Sequence, residues 1–510
     1  MALRGNAMNR ADAYIIPRSE NPIAEIVPQE PASDVQAVNR KSDRPLYAAR
    51  QKVYPKLAGG RFRALKWAVM AVTLGIYYAL PWLRWHRGPD LPDQAVLLDM
   101  ARNRYFFFFL EIWPQEFYFV TGLLVLAALV LFFATAVAGR VWCGYVCPQT
   151  VWTDLMITIE RFWQGDRNQR IRLDKAPWGP AKFFKKVMTH LSWLVIGLLT
   201  GGAFVFYFRD APTLAAELIS GTAPAIAYLF LGIFTLTTYV LGGIAREQVC
   251  IYMCPWPRIQ GAMIDQQTLL VSYQQHRGEP RGPHKKEQSW DGRGDCVDCR
   301  ACVAVCPTGI DIRDGAQLEC IQCGLCIDAC NDIMDKVGRP RGLVTYSTIA
   351  QQEAAACGRT APLRLLRPRT ALYLGLLALV SAIMLVAWLN RSVFEINVLH
   401  DRNPPFVRLS DGSIRNAFLV KILNKLHEPR EYRLAVRGLE GAGITIVGLE
   451  GEASSAVRVA TDDLRELRVL VTLPGANARA LVDASTPFDL VIRDIASGQE
   501  TLRRTRFQKQ

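Results

Sequence analysis

Between residues 296 and 330, eight cysteines repeat one spacing twice. Cys296, Cys299, Cys302 and Cys306, followed by Pro307, form a C-x2-C-x2-C-x3-C-P run, and Cys320, Cys323, Cys326 and Cys330 repeat it without the proline. Three thiols two residues apart let a tight loop wrap three corners of a cubane, while the fourth, released by the turn at the proline, reaches a second cubane. The run therefore predicts two 4Fe-4S clusters with crossed ligation. Cys296, Cys299, Cys302 and Cys330 would hold one cluster, and Cys320, Cys323, Cys326 and Cys306 the other. The competing reading is a disulfide or zinc framework, which the doubled order disfavours. Crossed ligation places the two clusters close enough to exchange electrons rapidly, so the segment reads as a wire.

The remaining sequence sets that wire in a membrane. Of 510 residues, 50% are apolar, and five runs approach the roughly 20 residues needed to cross a bilayer. They are Leu65–Leu83, Phe117–Ala138, Leu191–Phe208, Ala223–Gly243 and Ala371–Leu389. Basic residues before the first run, in the loop Arg140–Lys186 and at Arg364, Arg367 and Arg369 predict that the amino terminus and the clusters are cytoplasmic. Everything after Asn390 is then periplasmic. There is no apolar stretch ending in a small-residue cleavage site near the start, so a cleaved signal peptide is not expected.

The expected fold is mixed, a polytopic α-helical membrane protein with a ferredoxin-like insert and a β-sandwich. Residues 1–63 read as a polar, partly disordered cytoplasmic arm, and residues 64–264 as a four-span core. Residues 265–369 would form the ferredoxin-like domain, with its clusters within 290–335, and residues 370–390 the fifth span. Residues 391–510 alternate with period two, as in Phe418, Val420, Ile422 and in Leu467, Val469, Val471, which predicts an immunoglobulin-like sandwich. That segment has no Cys or Met, so a docking or structural role is expected of it. The run Tyr105-Phe106-Phe107-Phe108-Phe109-Leu110 reads as an interfacial helix.

One motif is duplicated. Cys143-Gly-Tyr-Val-Cys147-Pro, after the second span, recurs as Cys250-Ile-Tyr-Met-Cys254-Pro after the fourth, and Met156-Ile157 matches Met263-Ile264 downstream. Thiols at i and i+4 share a helix face. Two such helix ends brought together would gather four soft ligands suited to Cu(I), zinc or iron-sulfur iron. Pro148 and Pro255 should stop or kink those helices. Cys357 has no motif partner and reads as an incidental thiol.

Other chemistries are disfavoured. Only His190 lies at a span edge, which leaves no pair to sandwich a haem, and no dinucleotide-binding glycine fingerprint is evident. The net charge of +14 is dispersed among acids, which fits membrane topology better than nucleic-acid binding. Electrons must come from an outside donor.

In this order of modules the chain resembles the CcoG/FixG/RdxA family of cytochrome c oxidase accessory proteins over nearly all of its length after the arm. The resemblance implies a cupric reductase in the bacterial inner membrane, reducing Cu(II) to Cu(I) for assembly of the cbb3-type oxidase. It assigns the eight cysteines of the doubled run to the clusters. It also matches Cys143, Cys147, Cys250 and Cys254 to the motif that handles copper, the substrate. Membrane lipid, copper ions, an unidentified donor and oxidase assembly factors are the partners implied, and a homodimer is compatible. A quinol-fed electron conduit like the NapH and NosR relatives and a non-catalytic copper scaffold are the competing readings.

Overall fold

The five apolar runs fold as helices long and apolar enough to cross a membrane: Arg61–Trp82, Pro114–Ala138, Pro180–Phe206, Ala225–Ala245 and Pro368–Leu389. The computed structural model describes residues 35, 37–39, 51–88, 91–284, 289–391, 394–426, 428–449, 456–461 and 463–509. It divides into two compact units, Met1–Met384 and Leu385–Gln510.

In the first unit, α1 (Arg61–Ala79) is followed by α2 (Tyr118–Ala138), α3 (Val141–Tyr145), α4 (Pro148–Gln164), α5 (Arg167–Lys175), α6 (Pro180–Phe206), α7 (Ala211–Ser220), α8 (Ala225–Thr237) and α9 (Trp256–Met263). The helix α6 starts well before the apolar run because Pro180 opens it and Lys182 is tied to the carbonyls of Asp174 and Ala176. A side-chain carbon at Gly201 would stand 2.7 Å from Leu231 O and one at Gly197 2.9 Å from Thr235 O. These small residues let α6 and α8 approach backbone to backbone, as helices do in lipid.

Two expectations are corrected here. The aromatic run is not an interfacial helix but part of a three-stranded antiparallel sheet of β1 (Val96–Asp99), β2 (Arg104–Phe107) and β3 (Leu110–Ile112). Consecutive aromatic residues suit a pleated surface. Phe106 is 1% exposed opposite Leu97, whereas Phe109, at the turn, is 80% exposed.

Most of the arm lies outside the described residues, but residues 51–63 are not loose. Val53 and Ala58 are buried, Lys56 N donates to Ala304 O at 2.8 Å, and Arg63 pairs with Asp154 at 2.9 Å. Val53, Ala58 and Lys56 hold this strap on the cysteine-rich segment, and Arg63 ties it to α4.

That segment is framed by a two-stranded sheet of β4 (Leu270–Tyr273) and β5 (Val344–Ser347) and by the helix Leu325–Lys336. The second unit is a sandwich. One sheet runs β10 (Gly443–Ile446), β12 (Leu464–Leu473), β8 (Ile414–Asn424), β6 (Phe394–His400), with β7 (Val407–Arg408) on β8. The other runs β11 (Ala456–Val459), β9 (Arg430–Arg437), β13 (Ser485–Asp494), β14 (Glu500–Gln508). Alternate residues enter the core between them, Phe418, Val420 and Ile422 from one sheet and Leu434, Leu490 and Ile492 from the other.

Candidate iron-sulfur and thiol site

Two cavities open in the cysteine-rich segment. Cys296, Cys299, Cys302 and Cys330 line one, and Cys306, Cys320, Cys323 and Cys326 line the other, with Cys302 also at its edge. The crossing of Cys306 and Cys330 follows from the helix Leu325–Lys336, which carries the last cysteine back to the first loop.

The loops themselves fit a cubane. Asp298 (φ 51°) and Arg300 (φ 52°) adopt left-handed conformations in the first run, and Gln322 (φ 56°) and Gly324 (φ 73°) stand at the matching positions of the second. Alternating hands turn successive backbone N–H groups into a concavity that receives negative charge, the arrangement found around iron-sulfur groups. Three of these four are not glycine, a conformation that persists only where its surroundings impose it. The eight cysteines would therefore hold the two clusters, which supply one-electron transfer when bound. Cys302 and Cys323 are buried while Cys299 is exposed. Burial pushes the Cys320 and Cys330 thiols up to about 12, so metal uptake must release protons.

The duplicated motif is real in the backbone but is not one helix. Gly139 (φ 57°) and Arg246 (φ 47°) stand at matching places before each motif. The chain then makes a short helix, α3 in the first repeat and the π-helix Val249–Met253 in the second. Cys147 and Cys254 fall after it in extended backbone, with ψ 125° and 122°. The expected i, i+4 pairing on a single helix is thus corrected. Pro148 restarts the chain as α4 and Pro255 precedes α9, so each second thiol sits at a helix break.

The structure nevertheless brings the four thiols within electrostatic reach of one another. Burial, reinforced by the nearby Cys147 and Cys143 thiols, pushes Cys250 up to about 12. Burial also raises Cys143, against the opposing charge of Arg140. Cys143 donates to Gln260 Oε1 at 3.2 Å, and Gln260 in turn donates to Thr135 Oγ1 at 3.2 Å. Among the described residues no three His, Cys, Asp or Glu side chains close into a shell for one ion. The four thiols form an open group. Cys357 is exposed.

The second cavity abuts the first motif. Tyr145 OH donates to Cys323 O at 2.9 Å, Tyr346 OH donates to Gln322 O at 2.5 Å, and Arg140 N donates to Gln322 Oε1 at 2.9 Å. Arg140, 2% exposed, also donates from Nη1 to Leu318 O. Sequence reasoning missed Arg140, Gln322 and Tyr346. Nothing in their spacing marks them, because the contacts join segments far apart in the chain.

The comparisons agree with this architecture. Nitrogen fixation protein FixG of Rhizobium meliloti (strain 1021) is 50% identical over 505 residues, covering 93% of this chain and 96% of that protein. The chain belongs to the FixG/RdxA family. Its members RdxB and RdxA of Cereibacter sphaeroides are each 51% identical, covering 91% and 89% of this chain and 97% and 96% of their own lengths. The family model for the IG-like fold at the C-terminus of FixG matches residues 384–509. A 4Fe-4S dicluster domain matches residues 245–349 and a 4Fe-4S binding domain residues 120–164. With these 4Fe-4S domains and five apolar helices, the chain is an iron-sulfur electron-transfer protein of the membrane.

Proposed function

We propose that this chain takes electrons from an outside donor and passes them one at a time to Cu(II) at Cys143, Cys147, Cys250 and Cys254, producing Cu(I) for assembly of a cbb3-type oxidase. Each Cu(II) gains one electron and the donor makes it good, so no bond to carbon or oxygen need break. The observation that carries this reading is the approach of the two thiol pairs to each other, with Cys143 packed against Ile321 and Cys323. Thiolates are soft ligands that favour Cu(I), and the family resemblance points to the same reaction.

On this reading the protein lies in the bacterial inner membrane. The amino terminus and both clusters face the cytoplasm, and the sandwich faces the periplasm as a docking module. The basic run Arg364, Arg367, Arg369 before the last span supports that orientation. Cys296, Cys299, Cys302 and Cys330 hold one cluster, and Cys306, Cys320, Cys323 and Cys326 the other. The raised thiols of Cys143 and Cys250 are protonated at neutral pH and lose their protons as the metal binds.

The test is reoxidation of the reduced, purified protein by Cu(II). Stoichiometric Cu(I), trapped by a chromogenic chelator, is expected. Cys143→Ser with Cys250→Ser should abolish it while leaving the cluster spectrum intact, and undiminished reduction in that variant would sink the assignment.

A second reading rests on the match of residues 120–164 to a 4Fe-4S binding domain, in which the four thiols carry iron. Metal analysis separates the two. About eight iron atoms per chain accord with copper at the thiols, whereas about twelve accord with a third cluster.

A further inference from the structure

We infer that the two repeats have divided their work, and that Arg140, Gly144 and Tyr145 of the first are positioning residues that seat the Cys320–Cys323 loop for electron hand-off to the Cu(II) ion that Cys143 would hold. The inference rests on the electron-transfer reading above and specifies which ligand set is the inner one.

Gly144 lies between Cys143 and Tyr145 in the first motif. A side-chain carbon there would stand 2.7 Å from Ile321 O and 3.1 Å from Cys323 Cα, so only glycine lets the two backbones touch. Tyr145 is 6% exposed and binds the carbonyl of Cys323 at 2.9 Å. Arg140 clamps the same loop through Leu318 O and Gln322.

The second motif lacks all three features. Ile251 replaces the glycine, Tyr252 is 55% exposed, and Glu247 stands at the place of Arg140. A duplicated backbone has kept its thiols in both halves, and the glycine, the arginine and the buried tyrosine only in the first. The ligand set on that contact is Cys306, Cys320, Cys323 and Cys326. The other set reaches solvent only at Cys299, Cys296, Cys302 and Cys330 being buried, and an outside donor can approach at that residue. Electrons therefore enter at the outer set and leave at the inner one.

The experiment uses the full chain in detergent, comparing Gly144→Val with Ile251→Val. EPR-monitored redox titration follows two cluster signals, the inner one being that which survives Cys330→Ala. Gly144→Val is expected to shift the inner midpoint alone and to raise the rate of Cys143 alkylation by about tenfold as the contact opens. Ile251→Val is expected to change neither. If Gly144→Val does not accumulate, Tyr145→Phe replaces it and should shift the same signal less. Unchanged midpoints with a protected Cys143, or an equal shift from Ile251→Val, would overturn the inference. Neither readout involves copper, so failure of copper reduction would leave the hand-off face standing.

Discussion

Replacing Cys330 by Ala is expected to remove one cluster and leave the other, and adding Cys296→Ala should cost nothing more. Both residues line the same cavity although they belong to different runs. The double variant should keep about half of the iron and sulfide, because the set Cys306, Cys320, Cys323 and Cys326 is untouched. Ligation within each run predicts the opposite, since each substitution would then strike a different cluster. Iron and sulfide analysis with EPR spin counting decides between them. Loss of both clusters in the double variant would refute the crossing. Alanine is preferred to serine because a serine oxygen can still ligate iron.

The second large effect lies away from the sulfurs. Glu160 is 1% exposed and meets Arg246 at 2.8 Å, Lys52 at 2.9 Å and Arg170 at 3.1 Å. These contacts tie the strap before α1, the start of α5 and the turn before the second motif to α4. Burial alone would raise its carboxyl. Arg246, Lys52 and Arg170 outweigh burial and hold it at about 2 against an ordinary 4.5. The charged form is therefore the one the fold stabilises.

Glu160→Gln leaves three cations around a neutral group, and removing one partner of a buried ion cluster costs about 3–5 kcal/mol. A marked fall in the unfolding temperature of the detergent-solubilised protein is expected at pH 7. The pH dependence has a definite sign, because the folded carboxyl titrates below the unfolded one. Its contribution, about 3 kcal/mol, is complete above roughly pH 5 and is lost as pH falls through 4.5 toward about 2. The gap between wild type and variant should accordingly narrow on acidification. An equal unfolding temperature at pH 7 would show that the ion cluster contributes nothing.

Local pattern made much of this protein legible. The spans could be read because bilayer thickness imposes length and apolarity on a single run of residues. The sandwich strands could be read because a sheet with one buried face alternates with period two, as β8 does from Ile414 to Ile422. The cysteine spacing, read against the size of a cubane, grouped the same cysteines that line the two cavities.

Local pattern misled where neighbours decided. Phe106 looks like a membrane anchor until Leu97 is seen opposite it. The Cys143 and Cys147 thiols look like an i, i+4 pair on one helix until α3 is seen to end at Tyr145, before Cys147. Residues 51–63 look unpartnered until Asp154, Asp174 and Ala304 are in place.

The sequence alone thus determined the two cysteine runs, the five apolar helices and the duplication, all of which are written within short stretches of chain. Tertiary structure alone decided that the two thiol pairs come within electrostatic reach of each other, and that the first of them lies against the Cys320–Cys323 loop. Those facts depend on contacts such as Tyr145 with Cys323 and Arg246 with Glu160. They join residues distant in sequence, whose pairing no local periodicity encodes.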